Sequence, residues 1–137
     1  MNFVNVIYKK INQESDKKFI AKEYRSEVAR SILQLEKFED ISYVEIASDE
    51  MGTLWCFCDG EGLMKNLAEN IVLPMSDGGM QLLVGDVGFV RAKKLNPYEE
   101  SYDYEVVPLY EKDVELINNI LNEETQMCLK EWFENAE

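Results

Sequence analysis

Alternating apolar and polar residues predict strands through most of the chain before Pro108. Val4, Val6 and Tyr8 recur at every second position of residues 3–10, which places them on one face of a strand. Later segments show the same alternation or are rich in β-branched and aromatic residues. After the first strand, the predicted strands are 19–24, 41–47, 53–58, 70–74, 80–84, 87–92 and 101–107. The pattern leaves open whether 80–84 and 87–92 are two short strands or one strand broken at Gly85-Asp86.

A helix is predicted over residues 26–36, between the second and third strands. Ser26 is a favourable N-cap, and Val28, Ile32 and Leu35 form an apolar stripe at helical spacing. Residues 63–69 are compatible with one or two further helical turns. Turn-forming residues separate the strands, most clearly at 49–52 and 76–79.

From Tyr110 the apolar spacing becomes helical until near the end of the chain. The spacing predicts one apolar side, formed by Val114, Ile117, Leu121, Cys128 and Trp132. Asn122 lies between the third and fourth of these positions and is a poor helix former. The pattern therefore leaves two alternatives open, one long helix or two helices joined near Asn122.

These elements predict a single α+β domain over residues 1–137, with an acidic helical region at about 110–137. The expected fold is a mostly antiparallel sheet packed by the 26–36 helix and a C-terminal helix. The turn at 49–52 joins the third and fourth strands as a hairpin. The strand order does not follow from the pattern.

Composition excludes several kinds of chemistry. The chain has 27 acidic residues, 14 basic residues and no histidine, for a formal net charge of -13. Without imidazole, catalytic triads that use it as a base and histidine-ligated zinc are excluded. Because Lys and Arg neutralise a nucleic-acid backbone, the excess of acid predicts no direct nucleic-acid binding. A basic protein surface is the expected partner.

The excess acid is concentrated toward the C-terminus. Residues 1–37 have eight bases and five acids (+3), residues 38–94 have four and ten (-6), and residues 95–137 have two and twelve (-10). Tyrosines alternate with carboxylates after Leu95, a composition typical of protein interfaces. The predicted partner-binding residues are Tyr98, Glu99, Glu100, Tyr102, Asp103, Tyr104, Glu105, Glu111, Asp113 and Glu115.

Two other interpretations compete with this interface. The acidic face can simply be solvated and keep the protein soluble. Alternatively, the turns that carry Asp59, Glu61 and Asp86, with Lys65 nearby, can form a small-ligand or metal site or the active site of an enzyme. No recognised metal-nuclease or phosphate-binding motif accompanies these carboxylates, so we expect neither metal nor cofactor and no catalytic residues.

The three cysteines predict no disulfide framework and no zinc site. Cys56 and Cys58 form a C-x-C pair in a predicted strand, and Cys128 lies on the apolar side of the C-terminal helix. A C-x-C pair without a second cysteine pair supplies too few zinc ligands. Buried, reduced thiols are the expected state of all three.

One resemblance is carried by residues 1–121. Ile41–Ile46, then Cys58-Asp59-Gly60-Glu61-Gly62-Leu63 with Leu67 and Asn70, and later the strand from Val84 to Arg91, are similar to a family of small proteins of unknown function. That family is carried by phages and conjugative elements of Gram-positive bacteria. The chain departs from the family pattern where Asp59 and Met64 replace its Asn and Lys, and in the acidic segment after Leu121.

The resemblance implies an accessory protein of a mobile genetic element that binds a host protein. Combined with the acidic face, it leads to the expectation of a non-enzymatic inhibitor that mimics DNA and blocks a nucleic-acid-processing or defence enzyme. No apolar stretch is long enough for a membrane span, and the first residues lack the order of a signal peptide. We therefore expect a cytoplasmic location and no membrane partner.

Overall fold

The computed structural model describes residues 4–9, 17–21, 26–35, 40–50, 52–94 and 104–135. Its eight strands are β1 (Val4–Lys9), β2 (Lys17–Ala21), β3 (Ile41–Asp49), β4 (Gly52–Asp59), β5 (Glu69–Pro74), β6 (Met80–Val84), β7 (Val87–Lys94) and β8 (Tyr104–Val107). Its three helices are α1 (Ser26–Leu33), α2 (Glu111–Leu121) and α3 (Glu123–Asn135). Every strand pair is antiparallel, so the predicted α+β class is confirmed.

Six strands form the main sheet, with β7 at its centre. The order is β2-β1-β7-β4-β3. One edge of β7 pairs with β4, and the other pairs first with β1 and then with β8. Strands β1 and β8 therefore lie end to end along the same edge of β7. The predicted 49–52 hairpin is confirmed, since Asp49 pairs with Gly52 where β3 turns into β4.

Strands β5 and β6 form a separate two-stranded sheet that covers one face of the main sheet. Ile71, Leu73 and Leu83 from this small sheet pack in one buried cluster with Leu54 and Cys56 of β4. α2 contributes to the same cluster. The sequence pattern predicted these strands but not the layer to which they belong. Alternation shows that one face of a strand is buried, but it does not show which sheet contains the strand.

The opposite face of the main sheet is covered by α1. Ile32 and Leu33 pack against Phe57 of β4 and Val90 of β7, and Val6 completes this second cluster. Alternate residues of the central strands therefore enter two different cores. From one side to the other, the layers are α1, the main sheet and the β5–β6 sheet, with α3 packed on β5.

Two local predictions are wrong. α1 ends at Leu33, because Gln34 adopts a left-handed φ of 58° and the Leu35 N–H donates to the Arg30 carbonyl at 2.8 Å. This is a Schellman C-cap. Residues 63–69 form turns followed by the start of β5 rather than a helix, since Asn66 also has a left-handed φ of 56°.

Candidate functional site

A buried ion pair fixes the start of α2 against the main sheet. Arg91 Nε and Nη2 each lie 2.7 Å from a carboxylate oxygen of Asp113, and the backbone N–H of Tyr110 donates to Asp113 Oδ2 at 2.8 Å. The hydrogen bonds to Asp113 raise the pKa of Arg91. Burial of a guanidinium in the centre of a sheet requires such a counter-ion.

Asp113 is therefore not part of an exposed acidic face, as the sequence predicted, since only 2% of its surface is accessible. Asp49 extends the same network, because it contacts Arg91 Nη1 at 3.3 Å and also binds Lys112. The guanidinium lies 4.6 Å from the centre of the Tyr110 ring. Two of the acids and two of the bases in this part of the protein thus neutralise each other.

A break at Asn122 divides the C-terminal region into two helices. Asn122 has a ψ of 134°, and its side-chain oxygen accepts from the N–H groups of Glu124 at 3.0 Å and Thr125 at 3.3 Å. The asparagine thus ends α2 and caps α3. Of the two alternatives that the sequence left open, the structure has two helices.

α3 is held on β5 by one buried side chain. Gln126 accepts from the N–H of Val72 at 2.8 Å, donates to the Val72 carbonyl at 3.0 Å and donates to the Ile120 carbonyl at 2.7 Å. The amide therefore satisfies both backbone groups of Val72, as a neighbouring strand would do. This contact fixes the rotation of α3 and hence the residues that it exposes.

The exposed face of α3 includes two large apolar side chains. Trp132 is 71% exposed and Met127 is 67% exposed. Cys128 is also exposed, so the prediction that Cys128 and Trp132 lie on the buried side is wrong. That prediction assumed an unbroken helical period from Leu121, whereas the break at Asn122 shifts the phase and buries Gln126 instead.

Six exposed glutamates lie on α2 and on α3, the helix that also exposes these apolar residues, and we call them the acidic helix surface. They are Glu111, Glu115, Glu123, Glu124, Glu131 and Glu134. Trp132 and Glu131 also line a surface cavity of about 420 Å³ with Met80. Exposed Trp and Met side chains within a charged rim are typical of a protein interface rather than of a catalytic site.

Most of the predicted tyrosine-rich segment lies outside the described residues. This applies to Tyr98, Glu99, Glu100, Tyr102 and Asp103, whose role as partner-binding residues stays a prediction. Tyr104 and Glu105 lie in β8, where the register sets them opposite Lys94 and Lys93. Of the predicted partner-binding residues, Glu111 and Glu115 lie on the acidic helix surface.

The three carboxylates of the alternative site do not share one cavity, although Asp59 lies beside each of the other two. Asp59 and Asp86 line one cavity of about 430 Å³, and Asp59 and Glu61 line a neighbouring groove that Asp86 does not reach. Asp59 is buried, forms a 2.7 Å ion pair with Lys65 and accepts from the Glu61 N–H at 2.8 Å. Within the described ranges, no three potential metal-ligating side chains cluster together.

Sequence reasoning missed a lysine close to this cavity. Lys9, at the end of β1, hydrogen-bonds to the buried Asn70 of β5, whose amide donates to the Gly85 carbonyl at 2.8 Å. Burial and the positive charge of Lys130 lower the pKa of Lys9, while Asp86 opposes this shift. Nothing in the local sequence of β1 could have shown this proximity, because β1, β5 and α3 are far apart along the chain.

The two thiols of β4 are buried, as predicted. Burial raises the pKa of Cys56, and burial followed by the charge of Asp59 raises the pKa of Cys58 to about 11. Both groups are therefore protonated thiols at neutral pH and are poor nucleophiles. These cysteines pack as small apolar side chains.

Comparison of the chain with models of protein families, with curated proteins and with solved structures finds no match. None of the helices in the described part of the chain is long and apolar enough to cross a membrane.

Proposed function

We propose that the chain is a non-enzymatic accessory protein that binds a basic surface of another protein in the cytoplasm. The observation that supports this proposal best is the acidic helix surface, six exposed glutamates on the two C-terminal helices, of which α3 also exposes Trp132 and Met127. In such an interface the aromatic and thioether side chains supply the buried contact. The carboxylates speed encounter and orient the partner.

A more specific form of the proposal is DNA mimicry. The protein, carried by a mobile genetic element, places carboxylates where a host nucleic-acid-processing or defence enzyme binds phosphates. This form predicts that binding weakens steeply with salt and that DNA competes for the partner. Binding that is equally strong at low and high salt would rule it out.

Affinity capture with matched variants tests the interface. The baits are the wild type, Glu124→Lys/Glu131→Lys, Trp132→Ala and the control Glu69→Lys, which reverses an exposed charge on β5 that does not belong to the acidic helix surface. We expect one basic partner to be retained by the wild type and the control and lost by the other two variants. Retention by all four baits would mean that the acidic helix surface is only solvated.

A second candidate function is small-ligand binding, favoured by the cavity that Asp59 and Asp86 share. A few polar or charged groups, here two carboxylates, at the wall of a partly apolar cavity are typical of sites for small polar molecules. The test is thermal unfolding of the wild type and Asp86→Asn with and without millimolar Mg²⁺, Ca²⁺ or Mn²⁺. A bound ion raises the melting temperature of the wild type alone, and no shift for any ion excludes a divalent-cation site.

A further inference from the structure

The two edges of the β5–β6 sheet differ in their hydrogen bonding. At the outer edge of β5, the N–H and carbonyl of Val72 are satisfied by Gln126, and Pro74 has no N–H to offer. Proline at an edge and a covering side chain both prevent another strand from pairing there. The outer edge of β5 is therefore closed.

The outer edge of β6 is open. Val72 pairs with Leu82, and because the backbone groups of Val72 point away from β6, those of Leu82 point away from β5. Among the residues that the structure describes, β6 pairs with β5 alone. The N–H and carbonyl of Leu82 thus face outward in the geometry that an added strand requires.

A groove with apolar side chains runs beside this edge. It has a volume of about 270 Å³ and is lined by residues 81–84 on one side and by the turn after β4 on the other. Leu63 and Met64 in that turn are 78% and 83% exposed. At the other end of β6, Met80 borders the cavity beside Trp132. Apolar side chains therefore lie along the groove beside the open edge and at its Met80 end.

The charges around the open edge are mainly negative. Four carboxylates with at least partial exposure lie in the turns and helix around β6, namely Asp40, Glu61, Asp77 and Glu131. Asp40 lies beside the turn after β4, since its backbone carbonyl accepts a hydrogen bond from the Gly60 N–H at 2.9 Å. Lys65, the base in the same turn, is paired with Asp59. An incoming strand that carries Lys or Arg is electrostatically favoured.

We propose that the open edge of β6 binds an extended segment of a partner protein in which basic and apolar residues alternate. The segment adds as a strand that bonds to the backbone of Leu82, with apolar side chains on Leu63 and Met64. A second copy of this chain is a poor occupant, because each copy has a net charge of -13 and the two would repel. This contact is made by the backbone of β6, and it shares Glu131 with the acidic helix surface.

The test uses a synthetic Lys-Val-Lys-Val-Lys-Val-Lys peptide and a control peptide of the same composition with its lysines and valines in separate blocks. Leu82→Pro removes the outward N–H without removing a β5–β6 hydrogen bond, and Leu82→Val keeps that N–H. We expect Leu82→Pro to weaken binding of the alternating peptide by about tenfold, and Leu82→Val by less than about threefold. Equal affinity for the two peptides, or unchanged binding by Leu82→Pro, would overturn the proposal.

Amide hydrogen exchange of the wild type provides a second measurement that does not depend on the folding of a variant. Without peptide, we expect Leu82 to exchange faster than Leu83, and with the alternating peptide we expect Leu82 to become protected. Protection confined to α2 and α3 would contradict the proposal. So would protection of Leu82 that rises with protein concentration without peptide, since the occupant would then be a second copy.

Discussion

The ring of Phe57 lies directly over Gly88, its partner across β4 and β7. A Cβ at position 88 would stand 2.1 Å from Cζ of that ring, well inside contact distance. We therefore expect Gly88→Ala to destabilise the protein by about 3 kcal/mol or more, measured by urea unfolding. The double variant Gly88→Ala/Phe57→Leu should recover part of the loss. Equal stability of Gly88→Ala and the wild type would show that the ring has room to move.

The Arg91–Asp113 pair predicts a large cost for single substitutions and a small cost for a matched double substitution. Arg91→Met leaves a buried carboxylate without its counter-ion and should lower the free energy of unfolding by about 3–5 kcal/mol. Arg91→Met/Asp113→Leu should recover most of this, because an apolar pair needs no desolvation of charge. The control is Lys112→Met, which removes an exposed partner of Asp49 and should cost less than about 1 kcal/mol.

Gln126→Ala should detach α3 from β5. The substitution leaves the N–H and carbonyl of the fully buried Val72 without partners, and we expect a loss of about 3 kcal/mol in urea unfolding. Hydrogen exchange should accelerate in α3 before it does in β4. Asn118→Ala, at an exposed position of α2, serves as the control and should change stability by less than about 0.5 kcal/mol.

Thiol reactivity should separate the three cysteines. At pH 8, a disulfide reagent such as DTNB should modify the exposed Cys128 rapidly and leave the buried Cys56 and Cys58 unmodified. In denaturant all three should react. Rapid reaction of more than one thiol in the native protein would mean that the β4 core opens easily.

Alkaline pH should destabilise the fold through Cys58. Its pKa is about 11 in the folded protein and near the ordinary value of 9.0 when unfolded, so the unfolded state loses its proton first. The contribution is complete below about pH 9 and is lost as the pH rises through 11, for a total of about 3 kcal/mol. Unfolding of wild type and Cys58→Ser should be compared at each pH, since serine does not titrate. Parallel pH curves for the two proteins would contradict this prediction.

Local pattern was enough to predict most elements but not how they pack. The β3–β4 hairpin followed from alternation and a turn, and α1 from its cap and apolar stripe. The small sheet formed by β5 and β6 was not predicted as a separate layer, because its position depends on contacts between distant segments such as the one between Asn70 and Lys9.

The candidate site was predicted less well than the fold, for an identifiable reason. Charge counting assigned Asp113 to the exposed acidic face, because nothing near it in sequence indicates that Arg91 is buried 22 residues away. Helical periodicity placed Trp132 inside the protein. That prediction was wrong because the break at Asn122 changes the helical phase of every later residue. Each error came from applying a local rule across a tertiary contact or a helix boundary.

Both faces of β4 are buried, so the register of this strand determines which side chains enter each core. Leu54, Cys56 and Cys58 face one core, while Phe57 faces the other. A slip of one residue would turn the aromatic ring toward the small sheet and the thiols toward α1, so neither core could close. We infer that a single-residue insertion within Gly52–Asp59 would prevent folding.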